Sequence, residues 1–218
     1  MLDLVFEQVT TNGDRNFGYL IGDRNAREAL IVDPSFRPEY LVRRAEVQDL
    51  KVKLILNTHG HPDHTSGNLV AKRLTGAKVA IFEDSLVPHD LGLKEGDAFK
   101  FGQFSVKVLY TPGHAPDHVV FYFPELEAAI TGDHLFVGKI GGTVTLEESK
   151  QQYDALRRLV DDLPLSTTIW PGHDFGARPS STLSLELKSN PFLQATSFEE
   201  FLEVKENWRE IKNKNALL

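Results

Sequence analysis

The sequence predicts one α/β domain with internally paired β-sheets. Three observations carry this. Short β-type runs alternate with amphipathic helical stretches in the first third of the chain. The middle third is rich in strands. The last third returns to helices around one further strand. No tandem repeat, low-complexity tract or Gly/Ser/Pro-rich linker divides the 218 residues, a length that suits a single core.

The elements follow in order. Residues 2–9, 17–22 and 29–33 are β-type runs separated by Asn/Gly/Asp turns. Pro38 opens a helix over the segment ending at Leu50, with proline in its first turn. Residues 52–57 (VKLILN) are a short buried-strand run, followed by a helix over 66–75 and a strand over 78–82. Residues 99–110 predict a hairpin turning at Gly102-Gln103, and 118–123 and 127–131 predict two strands around Pro124. The clearest helix is 147–162, with Tyr153, Leu156, Leu159 and Val160 on one face. A strand at 167–170 leads to Pro171-Gly172. Helices over 181–189, stopped by Asn190-Pro191, and over 197–213 complete the chain.

Composition narrows the chemistry. There is no cysteine, which removes disulfides, thiolate nucleophiles and Cys-ligated metals. No apolar run approaches the roughly 18 residues of a membrane span. The first ten residues carry Asp3 and Glu7 and do not read as a secretory signal, so a cytoplasmic protein with no membrane partner is expected. A formal net charge of −7 gives no global field favouring nucleic acid.

The chemistry gathers at strand ends. The run 52–57 leads into Thr58-His59-Gly60-His61-Pro62-Asp63-His64, an H-x-H-x-D-H pattern. Imidazole and carboxylate are the usual ligands of borderline divalent metals when thiolate is lacking. Alternation aims His59 and His61 at one metal and leaves Asp63 and His64 for a second. His114 follows the strand ending at Tyr110, Asp133 follows the strand 127–131, and His173 follows the strand 167–170. Each stands behind a Gly- or Pro-bearing turn. A lone histidine beside a glycine is ordinarily a surface or core residue. Four strand ends that all deliver ligand-type side chains are not.

On these motifs (58–64, 111–114, 131–133 and 171–173, in that order) the chain resembles the metallo-β-lactamase superfamily, and within it the glyoxalase II (hydroxyacylglutathione hydrolase) branch. The resemblance spans about Phe17 to Leu193. It implies a four-layer αββα sandwich over residues 1–193, with 194–218 a helical extension packed on it. It implies a dinuclear site with a bridging hydroxide and two divalent ions per chain, zinc first and iron or manganese as alternatives. His59, His61 and His114 would hold one ion, Asp63, His64 and His173 the other. Asp133 would bridge them, and Asp63 and Asp133 would be the catalytic carboxylates. The implied reaction is hydrolysis of a small-molecule thioester, of the 2-hydroxyacyl-glutathione kind. A thiolate leaves without general-acid help.

Other residues are assigned more narrowly. The Gly-rich loop 138–143 lacks the strand–loop–helix context of a nucleotide P-loop. The resemblance makes Lys139 its basic substrate-binding residue. Phe175 stands where a substrate-binding tyrosine is common, a departure from the glutathione pattern. His134 is expected to line the pocket or bond a ligand, His118 to support the site without ligating, and His89 to be a solvated loop residue. Phe198, Phe201, Leu202, Trp208 and Ile211 predict a helix packed on the core. Lys205, Arg209, Lys212 and Lys214 are expected on its solvated face. Two other functions stay open. One is a mononuclear non-haem iron persulfide dioxygenase, holding iron on His59, His114 and Asp133. The other is a non-catalytic metal-binding scaffold. A homo-oligomer is compatible with either.

Overall fold

The structure is a computed structural model that describes residues 3–208 and residue 210. Its first sheet has six strands in sequence order. β1 (Leu4–Asn12), β2 (Asn16–Asp23) and β3 (Glu28–Val32) pair antiparallel with one another in turn. β4 (Lys51–Leu56), β5 (Lys78–Phe82) and β6 (Leu91–Leu93) continue parallel to β3. Parallel neighbours need crossovers. α1 (Pro38–Glu46) makes the first; α2 (Pro62–Thr65) and α3 (Asn68–Thr75) make the second. The second sheet starts as an antiparallel meander of β7 (Ala98–Phe101), β8 (Phe104–Tyr110), β9 (Val119–Phe123) and β10 (Ala128–Gly132). α4 (Leu146–Asp162) then crosses over to β11 (Thr168–Pro171), parallel to β10, and β12 (Ser181–Thr182) closes the edge. α5 (Leu183–Ser189), α6 (Pro191–Gln194) and α7 (Phe198–Glu206) follow.

Three apolar layers show why the sheets stack. Tyr19, Ile21, Leu30 and Leu56 of the first sheet meet Phe104, Val106, Phe121 and Ile130 of the second in a core between the sheets. On the outer face of the first sheet, Leu20, Ile31 and Ile55 pack under Leu41 and Ala45 of α1 and Ala71 of α3. On the outer face of the second, Val120, Ala129 and Ile169 pack under Leu156 and Leu159 of α4 and Phe201 of α7. Strands buried on both faces read as continuous apolar runs, which is why ALIV and VVFYF carry no alternation. The result is an αββα sandwich.

The sequence reading differs from the structure at element ends. α1 stops at Glu46, because Asp49 adopts a left-handed backbone (φ 57) that returns the Leu50 N–H to the Ala45 carbonyl. The helix expected over 66–75 is α3, which starts at Asn68, and a separate helix, α2, precedes it. Pro62 starts a single turn, and the chain breaks at Gly67, where a Cβ would lie 2.2 Å from the Pro34 carbonyl oxygen. α4 begins earlier than expected, at Leu146, behind a capping box between Thr145 and Glu148. Ser181 and Thr182 pair with β11 rather than opening a helix, and Thr182 then caps α5. The three-residue β6 is too short to leave a pattern. The last helix runs to Glu206; Ile211, Lys212 and Lys214 lie outside the described residues, as does Arg209. Among the described residues no helix is long and apolar enough to cross a membrane.

One polar clamp holds α1 against β1. Arg44 donates to both oxygens of Glu7 at 2.8 and 2.6 Å, and Gln48 adds a third bond. The Arg44 hydrogen bond, outweighing partial burial, holds the Glu7 carboxyl below its ordinary value. The folded value therefore lies below the unfolded one, so the stabilisation is present above about pH 4.5 and fades as pH falls through the folded value. Glu7→Gln should cost about 1 kcal/mol or less at pH 7, given that Arg44 is partly exposed. In urea unfolding the gap between variant and wild type should be smaller at pH 3 than at pH 7. An equal gap at both pH values would contradict the clamp.

Candidate metal centre

The C-terminal ends of β4, β8, β10 and β11 meet at one end of the sandwich. Two backbone hydrogen bonds tie them across the two sheets, Val119 N–H to the Thr58 carbonyl and Phe17 N–H to the Gly172 carbonyl, and Gly172 N–H to the Gly132 carbonyl ties β10 to β11 within the second. The sequence there turns immediately into its polar motifs. All seven residues singled out by spacing come together. Nδ1 of His61 lies 2.9 Å from Nε2 of His59 and 3.1 Å from Nε2 of His114. Nε2 of His64 and of His173 are 3.3 Å apart, and Asp63 Oδ2 is 3.8 and 3.4 Å from them. Asp133 lies between the groups. Its Oδ1 is 3.3 Å from His64 Nε2; its Oδ2 is 3.3 Å from His173 Nε2 and 3.5 Å from His114 Nε2.

The outer nitrogens explain this convergence. His114 Nδ1–H donates to the Gly142 carbonyl at 2.8 Å, and His173 Nδ1–H to the Asp14 carbonyl at 2.8 Å. His64 Nδ1–H donates to Asp33 Oδ2 at 2.9 Å. The Thr58 hydroxyl also donates to Asp33 Oδ2, so its oxygen accepts from His59 Nδ1–H at 3.1 Å. Each Nε2 is thereby aimed inward. One imidazole proton cannot satisfy three converging nitrogens; a cation can. Separations near 3 Å are also what ligands of a single ion at about 2.0–2.1 Å adopt. Gly172 gives a second test of fit. A Cβ there would lie 2.4 Å from Asp133 Oδ1 and 2.8 Å from the His64 ring, inside the cradle. The residues fit a pair of divalent ions.

Charge divides the centre. Burial pushes His59 well below the ordinary imidazole value and His114 below it, so both are neutral ligands. Burial also opposes charge on His64, yet Asp133 and Asp33 on either side hold it well above that value. Asp133 is buried too, but His64 and His173 keep its carboxyl well below the carboxylate range. A divalent ion on the His64 side would have to displace a proton, whereas the His59 side is neutral already.

Sequence spacing did not reveal two supporting residues, Asp33 and Asn16. Asp33, almost fully buried at 1 % exposure, ends β3 and accepts from Thr58 N–H as well as from the Thr58 hydroxyl and His64. Its signal was present: an acid directly after a strand, as Asp133 is after β10. Asn16 donates to both the carbonyl and Oδ2 of Asp63 at 3.0 Å. His118 belongs to none of the candidate ligand groups among the described residues. Its Nε2 accepts from the Asp133 N–H at 3.1 Å, while Nδ1 faces the Thr111 hydroxyl. Burial holds it neutral.

The centre opens into a cleft of about 310 Å³ lined by Asp14, Lys139, Ile140, Phe136 and Phe175 besides the ligand-type residues. Lys139 and Phe175, expected to meet substrate, line this cleft. His134 does not. It is absent from the cleft lining and fully buried, and burial lowers it to about 3. The loop 138–143 is held on several sides. Glu186 accepts from Gly138 N–H, Asn190 donates to the Lys139 carbonyl, and Gln152 donates to the Gly141 carbonyl. Lys205 corrects the reading of α7's cationic face. It is half-buried and donates to the Thr143 hydroxyl, next to the carbonyl that orients His114. Phe198, Phe201 and Trp208 pack on α4 and α6.

A family model described as the metallo-beta-lactamase superfamily matches residues 12–173. The chain belongs to that superfamily. It is 35% identical over 196 residues to the mitochondrial persulfide dioxygenase ETHE1 of Mus musculus, covering 88% of this chain and 76% of the relative. It is 33% identical over 203 residues to the hydroxyacylglutathione hydrolase of Rhodospirillum rubrum, covering 91% and 77%. The crystal structure of ETHE1 from Myxococcus xanthus superposes with a TM-score of 0.84 at 31% identity, covering 94% and 91% of the two chains. Enzymes of this superfamily use divalent metals, and two differently named activities stand equally near this chain.

Asp33→Asn keeps the size but sets an amide where two donors need an acceptor. Metal affinity, measured by chelator competition, should fall about 10–100-fold. His118→Ala leaves a buried N–H of Asp133 without its acceptor, costing about 1–3 kcal/mol of stability with a smaller loss of metal. Unchanged affinity in Asp33→Asn would show that Asp33 does not orient the ligands.

Proposed function

We propose that the protein is a dinuclear metal-dependent hydrolase of a thioester, of the 2-hydroxyacyl-thioester kind. The observation that carries this is Asp133. Its two oxygens reach ring nitrogens of both groups, and both groups are complete. His59, His61 and His114 would hold one ion; Asp63, His64 and His173 would hold the other; Asp133 would span them. Bound there, two divalent ions, zinc first and iron or manganese as alternatives, would lower the pKa of a shared water and polarise the scissile carbonyl.

The chain's own residues do the rest. Asp33, Thr58, Gly142 and Asp14 fix the imidazole orientations before substrate arrives. Asp133, kept ionised by its imidazole neighbours, carries negative charge between the two groups at neutral pH. The cleft offers no serine or cysteine nucleophile, and a thiolate leaving group needs none of its residues as an acid. Lys139, at the cleft wall, is the substrate-binding cation.

The persulfide dioxygenase relatives favour a second reading, in which one iron sits on His59, His114 and Asp133. Released thiol from a 2-hydroxyacyl thioester and oxygen uptake with a persulfide separate the two. The hydrolase reading expects the first with zinc-loaded protein, abolished by at least about a hundredfold in Asp133→Ala. Oxygen uptake by iron-loaded protein, with no thioester turnover under any metal, would overturn it.

A further inference from the structure

We infer that Gln152, in the second turn of α4, is a positioning residue for one half of the metal centre: it seats His114 from behind and so sets how tightly the His59, His61 and His114 group holds a divalent ion. The inference rests on the ligand sets proposed above and is independent of the substrate.

Two segments of chain place His114, and both rest on Gln152. The first is the turn 111–114. Gly113 takes a positive φ of 133, and a Cβ there would lie 2.6 Å from both the Cα and the backbone nitrogen of Gln152. Only a bare glycine backbone lies this close to α4. The second segment is the loop 138–143. Gln152 Nε2–H donates to the Gly141 carbonyl at 3.0 Å. Gly141 in turn lies on the His114 ring, where a Cβ would be 2.8 Å from Nδ1 and 2.9 Å from Cγ. The next carbonyl, that of Gly142, accepts the His114 Nδ1–H. One residue therefore sets the spacing between the backbone just before His114 and the peptide that holds its ring.

The amide is needed for this and not for packing. Gln152 is fully buried. The Gly141 carbonyl can only accept, so Nε2 faces it. Oε1 is then left buried with no hydrogen-bond partner among the described residues, which costs stability. A methionine of the same length would strand no such acceptor, but it could not hold Gly141. The effect falls on one group. His64 and His173 take their acceptors from Asp33 and from the Asp14 carbonyl, on the β3 end and the β1–β2 turn. The loop also has a second tie to α4, because the Ser149 and Thr143 hydroxyls lie 2.7 Å apart. Changing Gln152 thus loosens the peptide at Gly141 without releasing the loop.

The test titrates full-length, metal-stripped protein with cobalt(II) against a chelator. Cobalt moves the ring N–H resonances of its histidine ligands far outside the ordinary proton range, so the two groups are followed separately. The His114 Nδ1–H signal is the one missing in His114→Ala. In Gln152→Met the affinity of the first group should fall about tenfold, and the His114 N–H should exchange faster with water. The second group should keep its affinity. Equal weakening of both groups overturns the inference, as does a lowered melting temperature with both affinities intact. If Gln152→Met does not fold, the wild type decides. Its Gln152 side-chain N–H should be protected from exchange, and exchange at the rate of free glutamine overturns the inference. One cobalt per chain, held more weakly in Gln152→Met, would sink the two-ion reading and leave Gln152 in place.

Discussion

The centre of this protein depends on where imidazole protons are spent. His59, His64, His114 and His173 each give an outer N–H to a fixed acceptor: the Thr58 hydroxyl, Asp33, the Gly142 carbonyl and the Asp14 carbonyl. The inner nitrogens then face one another around Asp133. The second hydrogen bond of a ligating histidine sets its tautomer and its aim. Without those four acceptors the rings could turn, pair with each other or take up protons.

The fold supplies the acceptors from distant places. Asp33 comes from the end of β3, Asp14 from the β1–β2 turn, Gly142 from the loop before α4. The three apolar layers bring these segments within reach, and sheet-to-sheet backbone bonds at Thr58 and Gly172 hold them there. The C-terminal helices take part as well. α4, α5 and α7 each donate to or accept from the loop 138–143, so the segment that orients His114 and carries Lys139 rests on helical scaffolding.

Much of this was legible in the sequence. The sandwich could be read from apolar strand runs and a resemblance in motif order, and the candidate ligands from their repeated position after strands. What could not be read was tertiary. Asp33 and Asn16 look like ordinary turn residues until the sheets stack. His134 has a cleft residue's neighbours in sequence, but the backbone after Asp133 turns its ring into the layer under α4. Lys205 looked solvated because helical spacing describes one helix and not the loop that lands against it. Helix ends moved for local reasons, such as the left-handed Asp49 and the Thr145 cap.

The central claim is that the two ligand groups act together, each holding an ion across Asp133. Elemental analysis of protein purified without oxygen and without added metal tests it directly and requires no substrate. The account predicts about two divalent ions per chain, falling for both groups together in Asp133→Ala. Close to one iron per chain, retained on His59 and His114 with the His64 and His173 side vacant, would contradict it.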